Sequence, residues 1–305
     1  MGGTRGTHLV MDMPELTASL GGRMLYFETE DHRACLALPL DKTHVYIGTT
    51  DIRAEDPGDK QFTEQEVDYI FEVMRPILPG VTFRREDIVF AMAGVRPLPY
   101  QKVAATGAIS RDHRLDVFPP TDDRPFETFT LVGGKWTTYR AFGEQVTDAV
   151  LRSLGRDRKT STAELKIGGA QTLPYAPDER AAWIAELAAE TRLGEDRCAT
   201  LVSRYGGNAR AVAEAERDSN ASFEAVEGYT PAEIDLICGS ERVTRLEDVV
   251  LRRTLMGFEG RISRPALQEV AAVAATRLGW DAETLEREIA QTAELVQRRH
   301  RVPMT

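Results

Sequence analysis

Cysteine is scarce: Cys35, Cys198 and Cys238 stand far apart with no CxxC pair, so the chain offers neither a disulfide framework nor a zinc-finger pattern. They read as buried thiols in a reducing cytoplasm. The five histidines, His8, His32, His44, His113 and His300, show no metal-ligand spacing. No apolar run approaches the roughly 18 residues of a membrane-spanning helix, and the first residues lack a signal-peptide apolar core, which argues against a transmembrane segment and against secretion. Positive charge is in deficit. A formal net charge of −10 argues against a nucleic-acid partner and against a broad anionic-membrane surface, while leaving room for one local cationic pocket. Also absent is any GxGxxG turn, the glycine pattern by which a strand-to-helix junction holds a dinucleotide pyrophosphate.

What remains is a globular composition. With 305 residues the chain is long enough for two domains, and 42% apolar with 28% charged residues exclude disorder. Strand-length apolar or alternating runs at His8–Met11, Met24–Phe27, Ala34–Leu38, Val45–Ile47, Asp87–Met92 and Phe126–Val132 predict one antiparallel or mixed sheet. Thr63-Glu-Gln-Glu66 is a capping box, and Val67, Ile70, Phe71 and Met74 follow at helical spacing until Pro76 and Pro79. A helix is expected from near Lys135 to Leu154, with Phe142, Val146, Ala149 and Val150 on its buried side.

Beyond Gly155 the sequence turns polar and rich in Gly and Pro, and then helical signals dominate. Thr230-Pro-Ala-Glu233 opens one helix, and Leu285, Ile289, Leu295 and Val296 mark a last one. The division predicted is an α/β part with a mixed or antiparallel sheet over 1–155, a linker over 156–177, and an all-α carboxy-terminal domain over 178–305.

The segment richest in chemistry is Leu131-Val-Gly-Gly-Lys-Trp-Thr-Thr-Tyr-Arg140, an apolar strand joined to a helix through two glycines. Glycine lets backbone approach a ligand closely, and free N–H groups at a helix start favour negative charge. Ile47-Gly-Thr-Thr-Asp51 and Ala93-Gly-Val-Arg-Pro97 each follow another strand-like run. In this order, with Gly3-Thr-Arg-Gly-Thr-His-Leu-Val10, Ile109-Ser-Arg-Asp-His-Arg-Leu-Asp116, Arg204-Tyr-Gly-Gly-Asn208 and Leu251-Arg-Arg-Thr254, the chain resembles the FAD-dependent glycerol-3-phosphate dehydrogenases over nearly all its length.

The resemblance implies a cofactor, FAD, and a reaction, oxidation of sn-glycerol 3-phosphate to dihydroxyacetone phosphate with electrons passed to a quinone or another acceptor. It places Gly133, Gly134, Lys135, Thr137 and Thr138 at the pyrimidine edge of the flavin. Arg96 falls at the active centre, where a guanidinium is a poor base but a good electrostatic partner for an alkoxide-like oxygen. Thr49 and Arg111 join it as substrate-binding residues, Arg111 as a phosphate anchor, and Asp51 is placed to support them. His8 has a functional reading too, because family members carry a similar Arg-Gly-Ser/Thr-His segment, but it reads first as a core or strand-end histidine; Arg204, Arg252 and Arg253 read as interdomain or surface ion pairs. Family members begin with the GxGxxG half that this chain lacks, so it resembles their carboxy-terminal part, whether by truncation, an altered start or a split gene. A separate amino-terminal FAD-binding half is then an expected partner, and a cytoplasmic site, including the inner face of the membrane, an expected location. Two other readings stay open: a non-catalytic partner-binding or assembly module, and a flavin oxidase of another substrate.

Overall fold

A computed structural model describes residues 3–304 apart from 32, 57, 59, 102–105, 107–108, 134 and 220. Two compact units divide the chain: unit 1 comprises Met1–Leu165 with Arg298–Arg301, and unit 2 comprises Lys166–Gln297 with Val302–Thr305.

Unit 1 is built on β1 (Thr4–Asp12), a strand buried along almost its whole length. Its partners are β4 (His44–Gly48), β5 (Ile52–Arg53) and β6 (Ile88–Arg96), all antiparallel. His8 pairs with both Gly48 and Met92, and Thr4 with both Arg53 and Arg96. Since a strand residue has two edges, β4 and β5 share the edge opposite β6. Residues Thr49–Asp51 leave the ladder between them, next to Gly6 and Thr7. The sheet continues outward through β3 (Ala34–Pro39) and β2 (Leu25–Glu28). A short helix that the sequence patterning did not predict, α1 (Pro14–Leu20), follows β1 with proline in its first turn.

Alternation decides which face is covered. Cys35, Ala37, Val45 and Ile47 are buried, and they share a core with Val67, Ile70, Phe71 and Met74 of α2 (Glu64–Met74). Each of the larger side chains, Val45, Ile47, Val67, Ile70, Phe71 and Met74, contributes about 1.5–3 kcal/mol by leaving water. The capping box is formed: the Thr63 N–H donates to Glu66 Oε2 at 2.9 Å, and the Glu66 N–H donates to Thr63 Oγ1 at 3.3 Å.

A second, two-stranded antiparallel sheet joins β7 (Arg114–Phe118) to β8 (Thr128–Val132). Val117, Phe118, Phe126 and Leu131 remain exposed on or beside it. The chain then makes a 3₁₀ turn over Trp136–Thr138 before α3 (Tyr139–Ser153). The α-helix therefore starts later than the expected Lys135, because the Thr138 N–H donates three residues back, to the Lys135 carbonyl at 3.0 Å. Of the face expected to be buried only Phe142 is; Val146, Ala149 and Val150 are half-buried.

Unit 2 is helical: α4 (Pro177–Thr191), α5 (Glu195–Tyr205), α6 (Ala209–Arg217), α7 (Pro231–Ser240), the single turn α8 (Leu246–Asp248) running into a π-helical turn at Val249–Arg253, α9 (Arg264–Leu278) and α10 (Ala282–His300), whose last turn belongs to unit 1. Leu187, Cys198, Leu201, Val202, Ala209 and Val212 form one core among α4, α5 and α6. Glu233, fully buried near the start of α7, accepts from Arg197 at 2.7 Å, Arg204 at 3.0 Å and the Tyr205 hydroxyl at 2.6 Å. Arg252 pairs with Glu247 and Asp248, and Arg253 donates to the Glu241 carbonyl. Arg197 and Arg204 thus tie α5 to α7, while Arg252 braces its own helical segment. The architecture is thus an antiparallel sheet with helices followed by an all-helical part.

Candidate functional site

The break between β4 and β5 makes the site. Arg96, the last residue of β6, turns its side chain across β1 at Gly6. A Cβ at Gly6 would stand 2.0 Å from Arg96 Nη2 and 2.4 Å from Cζ, so only glycine leaves the guanidinium this path. On the far side three consecutive residues grip it. Arg96 Nη1 donates to Asp51 Oδ1 at 3.1 Å, Nη2 donates to Thr49 Oγ1 at 3.0 Å, and both face the Thr50 carbonyl at 3.4 Å.

Asp51 is the anionic centre. Its side chain is 4% exposed, and Arg111 Nη2 lies 3.8 Å from Oδ2, an oxygen with no hydrogen-bond partner among the described residues. The carboxylate therefore has Arg96 on one oxygen and Arg111, 43% exposed, near the other. The Thr106 hydroxyl fixes the Asp51 backbone through its carbonyl at 3.0 Å. Burial lowers the pKa of Arg96, Asp51 opposes that shift and Arg111 adds to it. A guanidinium starts so high that Arg96 stays cationic.

His8 and Tyr46 stack at 4.7 Å between ring centroids, nearly parallel. Burial, and then the charge of Arg96, press the His8 imidazole down to about 4, so it is neutral at pH 7. Tyr46 is pushed up to about 12 by burial, against the pull of Arg96, and its hydroxyl faces Met92 Sδ at 3.9 Å. The site thus offers two cations, one shared carboxylate, a threonine hydroxyl and two neutral rings. Such a set has the chemistry to hold an anion bearing a hydroxyl group and to stabilise negative charge growing on its oxygen.

Thr49, Arg96 and Arg111 are brought together around Asp51. Gly133 adopts φ +70°, and a Cβ there would meet the carbonyl oxygen of Asp112 at 3.0 Å and Pro99 Cδ at 3.8 Å, so the end of β8 runs beside the segments that carry Arg111 and follow Arg96. Lys135, Thr137 and Thr138 sit on the outward turn that follows. Among the described contacts Lys135 and Thr138 bond to each other, not to the arginine cluster. Gly134 lies outside the described residues. The start of α3 carries no side-chain cap, and Trp136 and Tyr139 beside it are 92% and 59% exposed.

Residues the motifs did not single out support the grip. Thr7, Thr50 and Glu66 are all buried, and Thr7 and Thr50 both bond to Glu66. Thr7 and Thr50 lie inside the Gly3–Val10 and Ile47–Asp51 motifs without a role of their own there, and Glu66 closes the capping box. In unit 2 a cleft of about 580 Å³ passes Gly169, Leu173, Arg180, Ile184 and Tyr205, with Arg180 donating to the Pro174 carbonyl. Among the described residues no three His, Cys, Asp or Glu gather as a metal site, and no helix is long and apolar enough to cross a membrane.

Comparison with known proteins places two families on the chain. Residues 1–149 match the family described as FAD dependent oxidoreductase, and residues 160–285 match the C-terminal domain of alpha-glycerophosphate oxidase. A glycerol-3-phosphate dehydrogenase of Synechocystis sp. is 34% identical over 180 residues, 58% of this chain and 31% of that protein. The enzyme of Pseudomonas tolaasii is 28% identical over 258 residues, 83% of this chain and 48% of the relative. Glycerol-3-phosphate dehydrogenase 1 of Mycobacterium tuberculosis is 29% identical over 268 residues, 85% and 48%. In fold the chain is similar to the glycerol-3-phosphate dehydrogenase of Bacillus halodurans complexed with FAD. There the TM-score is 0.75 at 24% identity, covering 97% of this chain and 57% of the other. The chain spans about half the length, or less, of the curated relatives it matches.

Proposed function

Because this chain belongs to the FAD-dependent glycerol-3-phosphate dehydrogenase family, we propose that it forms the substrate side of an enzyme oxidising sn-glycerol 3-phosphate to dihydroxyacetone phosphate. The observation that carries the reading is the meeting of Arg96, Thr49 and Arg111 around the buried Asp51. Arg111, the more exposed cation, holds the phosphate. Arg96 and Thr49 face the carbinol oxygen.

Oxidation removes a proton and a hydride from the secondary alcohol. Arg96 lowers the cost of negative charge on the oxygen through charge-assisted hydrogen bonds, and the proton leaves to water or a neighbouring group. Thr49 orients the hydroxyl. Neutral His8 and Tyr46 line the approach without adding a third cation, which would compete for the phosphate.

The left-handed Gly133 and the exposed Lys135 and Thr137 fit the pyrimidine edge of a flavin, since close backbone approach and a cation favour an electron-rich ring. FAD, when bound, supplies the hydride acceptor. The exposed apolar groups of β7, β8 and the Trp136 turn suit packing against the polypeptide that carries the adenine half of FAD, in this chain's gene product or as a separate amino-terminal half. Electrons pass on to a quinone or other acceptor, from the cytoplasm or peripherally at the inner membrane face.

The test is dye reduction by the chain supplied with FAD and the amino-terminal half of a relative. Turnover with sn-glycerol 3-phosphate, and little with glycerol or lactate, is expected. Equal turnover with an unphosphorylated alcohol would overturn the assignment of Arg111 and the substrate class.

A further inference from the structure

We infer that Glu66, acting through Thr50, is the positioning residue that holds Arg96 in its working place. A helix cap needs one carboxylate oxygen, and a glutamine serves as well. Glu66 does more. Its Oε2 accepts from the Thr63 N–H at 2.9 Å, from the Thr63 hydroxyl at 3.1 Å and from Arg5 Nη2 at 2.9 Å. Its Oε1 accepts from the hydroxyls of Thr7 and Thr50, each at 2.8 Å. The residue is 1% exposed, and Arg5 supplies the countercharge that makes burial of the carboxylate tolerable.

Thr50 receives the consequence. Its hydroxyl donates to Glu66 and accepts from the Thr7 N–H at 3.0 Å, so both the side chain and the strand beside it are fixed. The Thr50 carbonyl then faces both terminal nitrogens of Arg96, and its neighbours Thr49 and Asp51 take one hydrogen bond each. One buried carboxylate thus ties the start of α2 to the break between β4 and β5, and the break ties the guanidinium. A charge that must meet a developing oxyanion within a few tenths of an ångström gains from such anchoring. The effect on catalysis rests on the site assignment proposed above; the positional link does not.

The experiment follows the His8 imidazole by NMR from pH 8 downward in the full chain. His8 feels the charge of Arg96, so it reports where the guanidinium lies. Arg96→Met calibrates the signal by removing the charge. Thr50→Val deletes the link to Glu66, Thr50→Ser keeps the hydroxyl, and Glu66→Gln keeps a capping oxygen but loses one acceptor; the Thr50 pair carries the test if Glu66→Gln does not fold. We expect Thr50→Val and Glu66→Gln to raise the His8 pKa in the direction of Arg96→Met, by a substantial part of the shift that Arg96→Met produces, with Thr50→Ser near the parent. A folded Thr50→Val with His8 at the parent value, or a His8 that ignores Arg96→Met, would overturn the inference. Titrating sn-glycerol 3-phosphate into the same samples separates the two readings. A His8 shift with unchanged affinity upholds the positioning role and counts against the site assignment, while a shift with affinity lowered about tenfold or more supports both.

Discussion

Gly6→Ala is the sharpest perturbation of this site, because one methyl group is aimed at one guanidinium. The added Cβ would stand 2.0 Å from Arg96 Nη2 and 2.4 Å from Cζ, far inside contact distance, so Arg96 must leave its grip. Among the described residues Asp51, with a side chain 4% exposed, then keeps only Arg111 at 3.8 Å. Removing one partner of a fully buried pair costs about 3–5 kcal/mol. Arg96 is a quarter exposed and Arg111 is near, so about half that loss applies, and alanine returns roughly 0.4–1 kcal/mol through the unfolded chain. The net expectation is a loss of about 0.5–2 kcal/mol. Gly94→Ala is the control: Gly94 pairs with Gly6 across β1 and β6, yet an added Cβ there meets nothing within 4 Å. Its stability should equal the parent or exceed it by about 0.5 kcal/mol. Urea unfolding gives the total change, and hydrogen exchange at the β1 amides reads unit 1 by itself. Gly6→Ala within about 0.5 kcal/mol of the parent, or Gly94→Ala equally damaging, would refute the crossing of Arg96 over Gly6.

Other outcomes bear on charge, pH and cofactor. In the reconstituted enzyme Arg96→Lys should lower kcat/KM by roughly 10²-fold or more, and steady-state kinetics within threefold of the parent would return Arg96 to a structural role. Arg111→Ala should act mainly on KM, as a phosphate anchor binding ground and transition states alike does; a matched fall in kcat alone would contradict that role. His8 has a folded pKa of about 4 against 6.5 when free, so the unfolded state binds more protons between those values. Its contribution is present above pH 6.5 and is lost as pH falls towards 4, up to about 3 kcal/mol. Urea midpoints of His8→Gln should therefore decline less steeply than the parent's over that window, and parallel curves would exclude the effect. Without a GxGxxG turn the purified chain should keep little flavin after desalting, since contacts at the pyrimidine edge alone must offset the entropy of association; an absorbance spectrum showing near-stoichiometric FAD would contradict this.

Local signals were legible in the sequence where one segment settles its own structure. Thr63-Glu-Gln-Glu66 specifies its cap within four residues, and Val67, Ile70, Phe71 and Met74 specify the buried face of α2. Strand runs such as Val45–Ile47 were readable because alternation matches a half-covered sheet. The short α1 and the two-residue β5 left no comparable period. β7, Arg114-Leu-Asp-Val-Phe118, alternates charge and apolar groups, but its apolar members stay largely exposed, so burial did not mark it. The start of α3 was misplaced because hydroxyl and backbone bonds between Thr138 and Lys135 favour a 3₁₀ turn over the amphipathic pattern. At the site, Thr49 and Arg96 stand in strand-end motifs and Arg111 in the segment before β7, and each can be read by itself. The role of Gly6 cannot be read so, because it depends on a side chain 90 residues away that crosses β1. Glu66 looks like a cap in sequence; its bonds to Arg5, Thr7 and Thr50 span 61, 59 and 16 residues and exist only once the sheet has formed.

The central claim, that Thr49, Arg96 and Arg111 make one receptor for a phosphorylated secondary alcohol, is tested most directly by NMR titration of the chain with sn-glycerol 3-phosphate. Saturable shifts should converge on Thr49–Asp51, Arg96 and Arg111, be weaker with glycerol or inorganic phosphate alone, and vanish in Arg96→Met. Saturable shifts that map elsewhere on the chain, or that persist unchanged in Arg96→Met, would contradict it.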